Sequence, residues 1–122
     1  MNKLSEKSLT RLNGVSPLLV KVVKRAIELS AIDFRITEGV RSIERQCMLF
    51  AAGKSQTMQS KHLIGEAIDL AALVGGVVSW EWKYYEIIST AMKQAAKELS
   101  VTIEWGGDWK SLKDGVHFQL KG

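Results

Sequence analysis

The sequence predicts an α+β domain: a small, mainly antiparallel sheet with helices packed on one side. Three observations carry that expectation. Apolar residues recur at helical spacing in three stretches, they follow a strand pattern in four others, and glycine or polar segments separate the two kinds. At 122 residues the chain is long enough to bury a core, and one domain over residues 1–122 is expected.

The elements follow in order. Ser16-Pro17 reads as a helix start, with serine at the cap and proline at the first helical position. Leu19, Val22, Val23, Ala26 and Leu29 carry that helix to about Leu29. Asp33 to Thr37 alternates, with Phe34 and Ile36 on one face, and reads as a strand ended by Gly39. A second helix starts near Ser42 and stops at Gly53, and the polar segment Lys54 to Lys61 reads as a loop. Ala67 to Ala72 is a strand, Gly75-Gly76 a turn, and Val77-Val78 a short returning strand. Ser79 caps a long helix whose stripe is Tyr84, Tyr85, Ile88, Ala91, Met92, Ala95 and Leu99. Val101, Ile103 and Trp105 form a strand broken by Gly106-Gly107, and Val116, Phe118 and Leu120 form the last one.

Composition excludes several classes. Hydrophobic residues make up 46% and charged residues 25%, an ordinary globular balance. The net charge of +4 favours anionic partners, but the basic residues are scattered and form no nucleic-acid-binding motif. The single cysteine, Cys47, excludes an internal disulfide. It falls in the run Ile43, Cys47, Phe50 at helical spacing, which predicts a buried structural thiol. No apolar core of signal-peptide length follows Met1, and no stretch approaches the roughly 20 apolar residues of a membrane span. Synthesis and first residence in a cytoplasm, without membrane insertion, are expected.

The only two histidines both sit in ligand-like settings. Strand alternation puts Ile68 and Leu70 on one face and Asp69 on the other, among Ala67 and Ala71. His117 likewise faces away from Val116, Phe118 and Leu120. If the two strands are neighbours, His117 and Asp69 converge, with His62 reaching in from the preceding loop. Two imidazoles and a carboxylate are a ligand set for catalytic zinc, on the sheet face opposite the helices. The plainer alternative is an ordinary surface His and Asp on each strand.

The segment from Ser60 through His62 and Gly65 to Asp69 resembles the Ser-x-His-x-x-Gly-x-Ala-x-Asp signature of the zinc D-Ala-D-Ala carboxypeptidase superfamily. Asp114-Gly115-Val116-His117 is similar to its second motif. The Asp in that motif, with Trp105-Gly106-Gly107-Asp108-Trp109, resembles the phage endolysin branch that cuts L-alanyl-D-glutamate bonds in peptidoglycan.

The resemblance implies a Zn2+ cofactor on His62, Asp69 and His117, with Asp114 as general base. Asp114-Gly115 is also a common turn pair. An arginine at the place of Arg41 faces the active site in that superfamily, where it would hold a substrate carboxylate or an oxyanion. Otherwise it is a solvated arginine near a helix start. Gln46, one turn further on, would line the same cleft. Ser60 would contact substrate or orient a ligand, or is a turn hydroxyl. Trp109 is a substrate wall or core, Trp105 leans to core, and Asp108 either orients a ligand or caps a turn.

The implied function is a zinc-dependent peptidoglycan endopeptidase for bacterial cell lysis. It would be a monomer whose partner is bacterial peptidoglycan. It would stay in the host bacterial cytoplasm until released to the wall through a pore made by another protein. The alternatives are a D,D-carboxypeptidase on the same scaffold and a non-catalytic zinc-binding interaction module.

Overall fold

The computed structural model describes residues 2–54, 60–111 and 113–121. The described elements are helices α1 (Glu6–Arg11), α2 (Pro17–Leu29), α3 (Ile43–Ala51) and α4 (Trp82–Glu98), and strands β1 (Asp33–Glu38), β2 (Ala67–Val74), β3 (Val77–Ser79), β4 (Ile103–Trp105) and β5 (His117–Leu120). The sheet runs β1-β2-β5-β4, with β3 pairing the far end of β2, and every pairing is antiparallel.

One layer of the core comes from α2 and α4. Leu19, Val22, Val23, Ala26 and Ile27 of α2 are buried, as are Tyr85, Ile88, Ala91, Met92 and Ala95 of α4. The other layer comes from alternate residues of the strands: Phe34, Ile36, Ile68, Leu70, Ala72, Trp105 and Phe118. Tyr85 also pins the hairpin, donating to the Ser79 carbonyl (2.8 Å) and accepting from the Ala72 N–H (3.1 Å).

The expected α+β architecture is present, with four differences of detail. Helix α1 was not anticipated, because six residues are too few to show an apolar stripe. It covers the outer edge of β1: Ser8 Oγ accepts from the Ile36 N–H (2.9 Å) and Arg11 donates to the Ile36 carbonyl (3.1 Å). An exposed strand edge is thereby satisfied by side chains rather than left open to pairing.

Ser79 does not cap α4. It ends β3, and the helix begins at Trp82, with Leu99 half-exposed at its far end. Ser16 precedes Pro17 without a capping side-chain bond; its N–H goes instead to the Gly65 carbonyl (2.7 Å).

The largest departure is α3. It starts beside Ser42 as expected, and Ser42 caps it, accepting from the Arg45 N–H (3.0 Å). The run Ile43, Cys47, Phe50 is exposed, however, and Cys47 is an accessible thiol rather than a core one. The described residue that α3 buries is Gln46. Of the loop expected over Lys54 to Lys61, residues 55–59 lie outside the described residues.

Candidate functional site

Register places the site. Across β2 and β5, Asp69 pairs with His117, so both side chains leave the same face of the sheet. Across β1 and β2, a bulge between Ile36 and Glu38 brings Glu38, rather than Thr37, opposite Asp69. A bulge re-aims the residue that follows it. Glu38, Asp69 and His117 thus form one polar row over three strands, and Gln119, opposite Ala67 and Glu104, begins the next row.

His62 enters from a 3₁₀ turn, Lys61–Ile64, that leads into β2. Ser60 Oγ caps this turn by accepting from the His62 N–H (3.2 Å). Gly65 closes it in the left-handed conformation, at φ 71°, and a Cβ there would strike the Gly14 carbonyl.

The three candidate ligands converge. Their donor atoms all lie within 4.8 Å of one another. Asp69 Oδ1 is 3.1 Å from His117 Nδ1 and 3.3 Å from His62 Nε2. His62 Nδ1 donates to the Gly39 carbonyl (2.9 Å), which leaves Nε2 as the nitrogen facing the cluster. That Nε2 is buried and has no hydrogen-bond partner among the described residues. A buried polar atom without a partner is costly. Aimed at a carboxylate oxygen beside a second imidazole, it fits a divalent cation seated between them, and the donor set is one that such ions accept.

Electrostatics point the same way. Burial works to raise the Asp69 pKa, but the bond from His117 and the His62 ring beside it outweigh burial and hold the carboxyl far below its ordinary range. Burial works to lower His117, and its bond to Asp69 reverses this and raises it.

Asp114 behaves oppositely. Burial, followed by the negative charge of Asp69, raises its pKa above the ordinary value. Its backbone is fixed in the approach to β5: its N–H bonds the Gly106 carbonyl (3.0 Å) and its carbonyl accepts from the His117 N–H (3.2 Å). Any side chain at Gly106 would collide with Asp114 itself. The glycines after β4 therefore do more than break a strand: Gly106 makes the seat for Asp114, and Gly107 makes room for the Trp105 ring.

Arg41 lies beside the cluster and is nearly covered, with its side chain 8% exposed. It forks onto Glu38 (Nε–Oε1 2.9 Å, Nη2–Oε2 2.7 Å), donates to Gln46 Oε1 (2.7 Å) and reaches within 3.8 Å of Asp69 Oδ2. Trp109 is half-buried, its ring centroid 5.3 Å from that of His117. Trp105 joins the core, stacked between Trp82 and Phe118. Asp108 turns away to solvent and pairs with Lys93 (2.7 Å), so it touches no candidate ligand.

Every other expected site residue thus lies in or against one cluster. Sequence reasoning missed Glu38, whose role depends on a bulge, and gave no role to Gln119 or Glu104, which matter only through cross-strand pairing.

The profile of the phage L-alanyl-D-glutamate peptidase family matches residues 1–119. The chain belongs to that family, and is accordingly a peptidase, a hydrolase. It is 35% identical to the L-alanyl-D-glutamate peptidase of Escherichia phage T5, over 98% of this chain and 89% of the relative. It is 31% identical to the peptidoglycan L-alanyl-D-glutamate endopeptidase CwlK of Bacillus subtilis, over 80% of this chain and 66% of that one.

Among solved structures it superimposes on the Serratia marcescens L-Ala D-Glu endopeptidase ChiX with a TM-score of 0.92, at 49% identity, covering 95% of this chain and 87% of the other. The vancomycin-resistance D,D-dipeptidase VanXYg shares the fold at a TM-score of 0.56 and 17% identity, over 88% of this chain and 51% of that one.

Proposed function

We propose that this chain is a single-domain, zinc-dependent endopeptidase that hydrolyses the L-alanyl-D-glutamate bond of bacterial peptidoglycan. The observation that carries the reading is the buried, partnerless Nε2 of His62 facing Asp69 beside His117. These three residues would hold the ion, and membership of a family of L-alanyl-D-glutamate peptidases supports the bond. When bound, zinc supplies Lewis acidity: it polarises the scissile carbonyl and lowers the pKa of water.

The remaining roles belong to the chain's own side chains. Asp114 takes the proton from the attacking water and delivers it to the departing amine of D-glutamate. Its raised pKa suits a group that must first accept and then release a proton.

Arg41 has Nε, Nη1 and Nη2 all bonded to protein partners. Its proposed role is therefore to position Asp69 and lend positive charge to the site, rather than to clamp a substrate carboxylate. Gln46 holds Arg41 from beneath, Ser60 sets the turn that carries His62, and Trp109 walls the cleft beside His117. No described helix is long and apolar enough to cross a membrane. Action as a monomer, with release from the cytoplasm through a separate pore, completes the proposal.

Digestion of purified peptidoglycan, followed by mass analysis of the fragments, tests it. New N-terminal D-glutamate is expected, lost with a chelator and regained with zinc. Release of free D-alanine instead would replace the reading with a carboxypeptidase, and no cleavage at all would leave a binding module.

A further inference from the structure

Glu104 of β4 and Gln119 of β5 are cross-strand partners on the same sheet face as the candidate ligands. Gln119 Oε1 lies 2.9 Å from His117 Nε2. Gln119 Nε2 donates to Glu104 Oε2 at 3.5 Å, and the same oxygen accepts from Trp109 Nε1 at 3.4 Å.

Donor and acceptor chemistry orders this chain of contacts. A carboxylate only accepts, so the end of Gln119 that faces Glu104 must be its NH2. Its carbonyl oxygen then faces His117, and the histidine nitrogen there must carry hydrogen. What remains for ligation is Nδ1, the nitrogen 3.1 Å from Asp69 Oδ1.

We propose that Gln119 and Glu104 are positioning residues for the metal centre. They fix the ring of His117 so that it ligates through Nδ1, and they tie the Trp109 ring to the same frame. The proposal rests on His62, Asp69 and His117 being metal ligands. The two histidines are then set by different means. His62 is oriented by a backbone carbonyl, that of Gly39, whereas His117 is oriented by side chains alone. Partners of this kind typically carry about 10–100-fold of a site's metal affinity.

The test measures zinc affinity by competition with a chromogenic chelator. Long-range nitrogen–proton NMR of the His117 ring in the zinc-loaded protein accompanies it, and amide fingerprint spectra check that each variant is folded. Gln119→Leu is expected to weaken zinc binding by about 10–100-fold and to remove the signature of protonated Nε2. The exchanged pair Glu104→Gln with Gln119→Glu supplies the same acceptor to His117 and the same donor–acceptor contact between strands. It is expected to recover affinity well beyond that of Gln119→Leu. Wild-type affinity and ring signature in Gln119→Leu, or an exchanged pair as weak as Gln119→Leu, would overturn the proposal. Absence of zinc binding by the unaltered protein would instead overturn the metal reading beneath it.

Discussion

Strand β5 and helix α3 flank the candidate centre and are held in opposite ways. On β5, Phe118 is fully buried between Ile68 and Trp105, and its neighbours His117 and Gln119 point into the site. On α3, the apolar residues Ile43, Met48 and Phe50 face solvent, and the buried residue is the polar Gln46, which accepts from Arg41. One flank is anchored by hydrophobic packing and the other by a hydrogen-bonded polar group. An apolar stripe therefore marks a core only where another element lies over it, and over this stretch of α3 none does among the described residues.

This contrast predicts an order of stabilities. Phe118→Ala should destabilise the protein by about 3–5 kcal/mol, the usual result of emptying a buried aromatic site. Phe50→Ala on α3 should change stability by no more than about 0.5 kcal/mol, as for an exposed position. Chemical denaturation of both variants measures this. A large loss at Phe50 would mean that α3 is packed after all.

Between these lies the network that joins the two flanks. Arg41→Ala removes the hydrogen-bonded partner of a partly covered Glu38, leaving it the looser Arg45 contact at 3.7 Å, and should cost about 1–3 kcal/mol near neutral pH. The pH dependence sharpens the point. Burial pushes the Glu38 pKa up, but the bonds from Arg41 prevail and hold it below its ordinary value of 4.5. A group whose folded pKa is depressed contributes stability above its unfolded pKa and loses it as pH falls through the folded one. The metal-free protein should thus lose stability on acidification below about pH 4.5, with Asp69 adding to the loss at still lower pH. In Arg41→Ala the share due to Glu38 should shrink, flattening the upper part of that slope. An unchanged slope in equilibrium denaturation across pH 3 to 6, on the order of the carboxylate range, would break the link.

Periodicity made most of the fold legible. The stripes of α2 and α4 and the alternation in β1, β2, β4 and β5 reflect faces that are covered on one side, and covered faces leave a pattern in sequence. Two spaced motifs made the candidate ligand cluster, and the place of Asp114 beside it, legible as well. What stayed hidden depends on contacts between distant segments. The α3 stripe has the right period but no covering element among the described residues. Glu38 is turned to the site by a bulge that no periodicity announces, and Gln119 and Glu104 gain meaning only once β4 and β5 are paired. Asp108, adjacent to Trp109 in sequence, is carried away by the turn after Gly107 to meet Lys93.

In the proposed function, holding the ion and moving the proton fall to different residues. Asp69→Ala and Asp114→Ala, compared side by side for zinc content and for release of N-terminal D-glutamate from peptidoglycan, test it most directly. Asp69→Ala is expected to lose both zinc and hydrolysis, whereas Asp114→Ala is expected to keep one equivalent of zinc and lose hydrolysis. Full hydrolysis by Asp114→Ala, or undiminished zinc in Asp69→Ala, would contradict it.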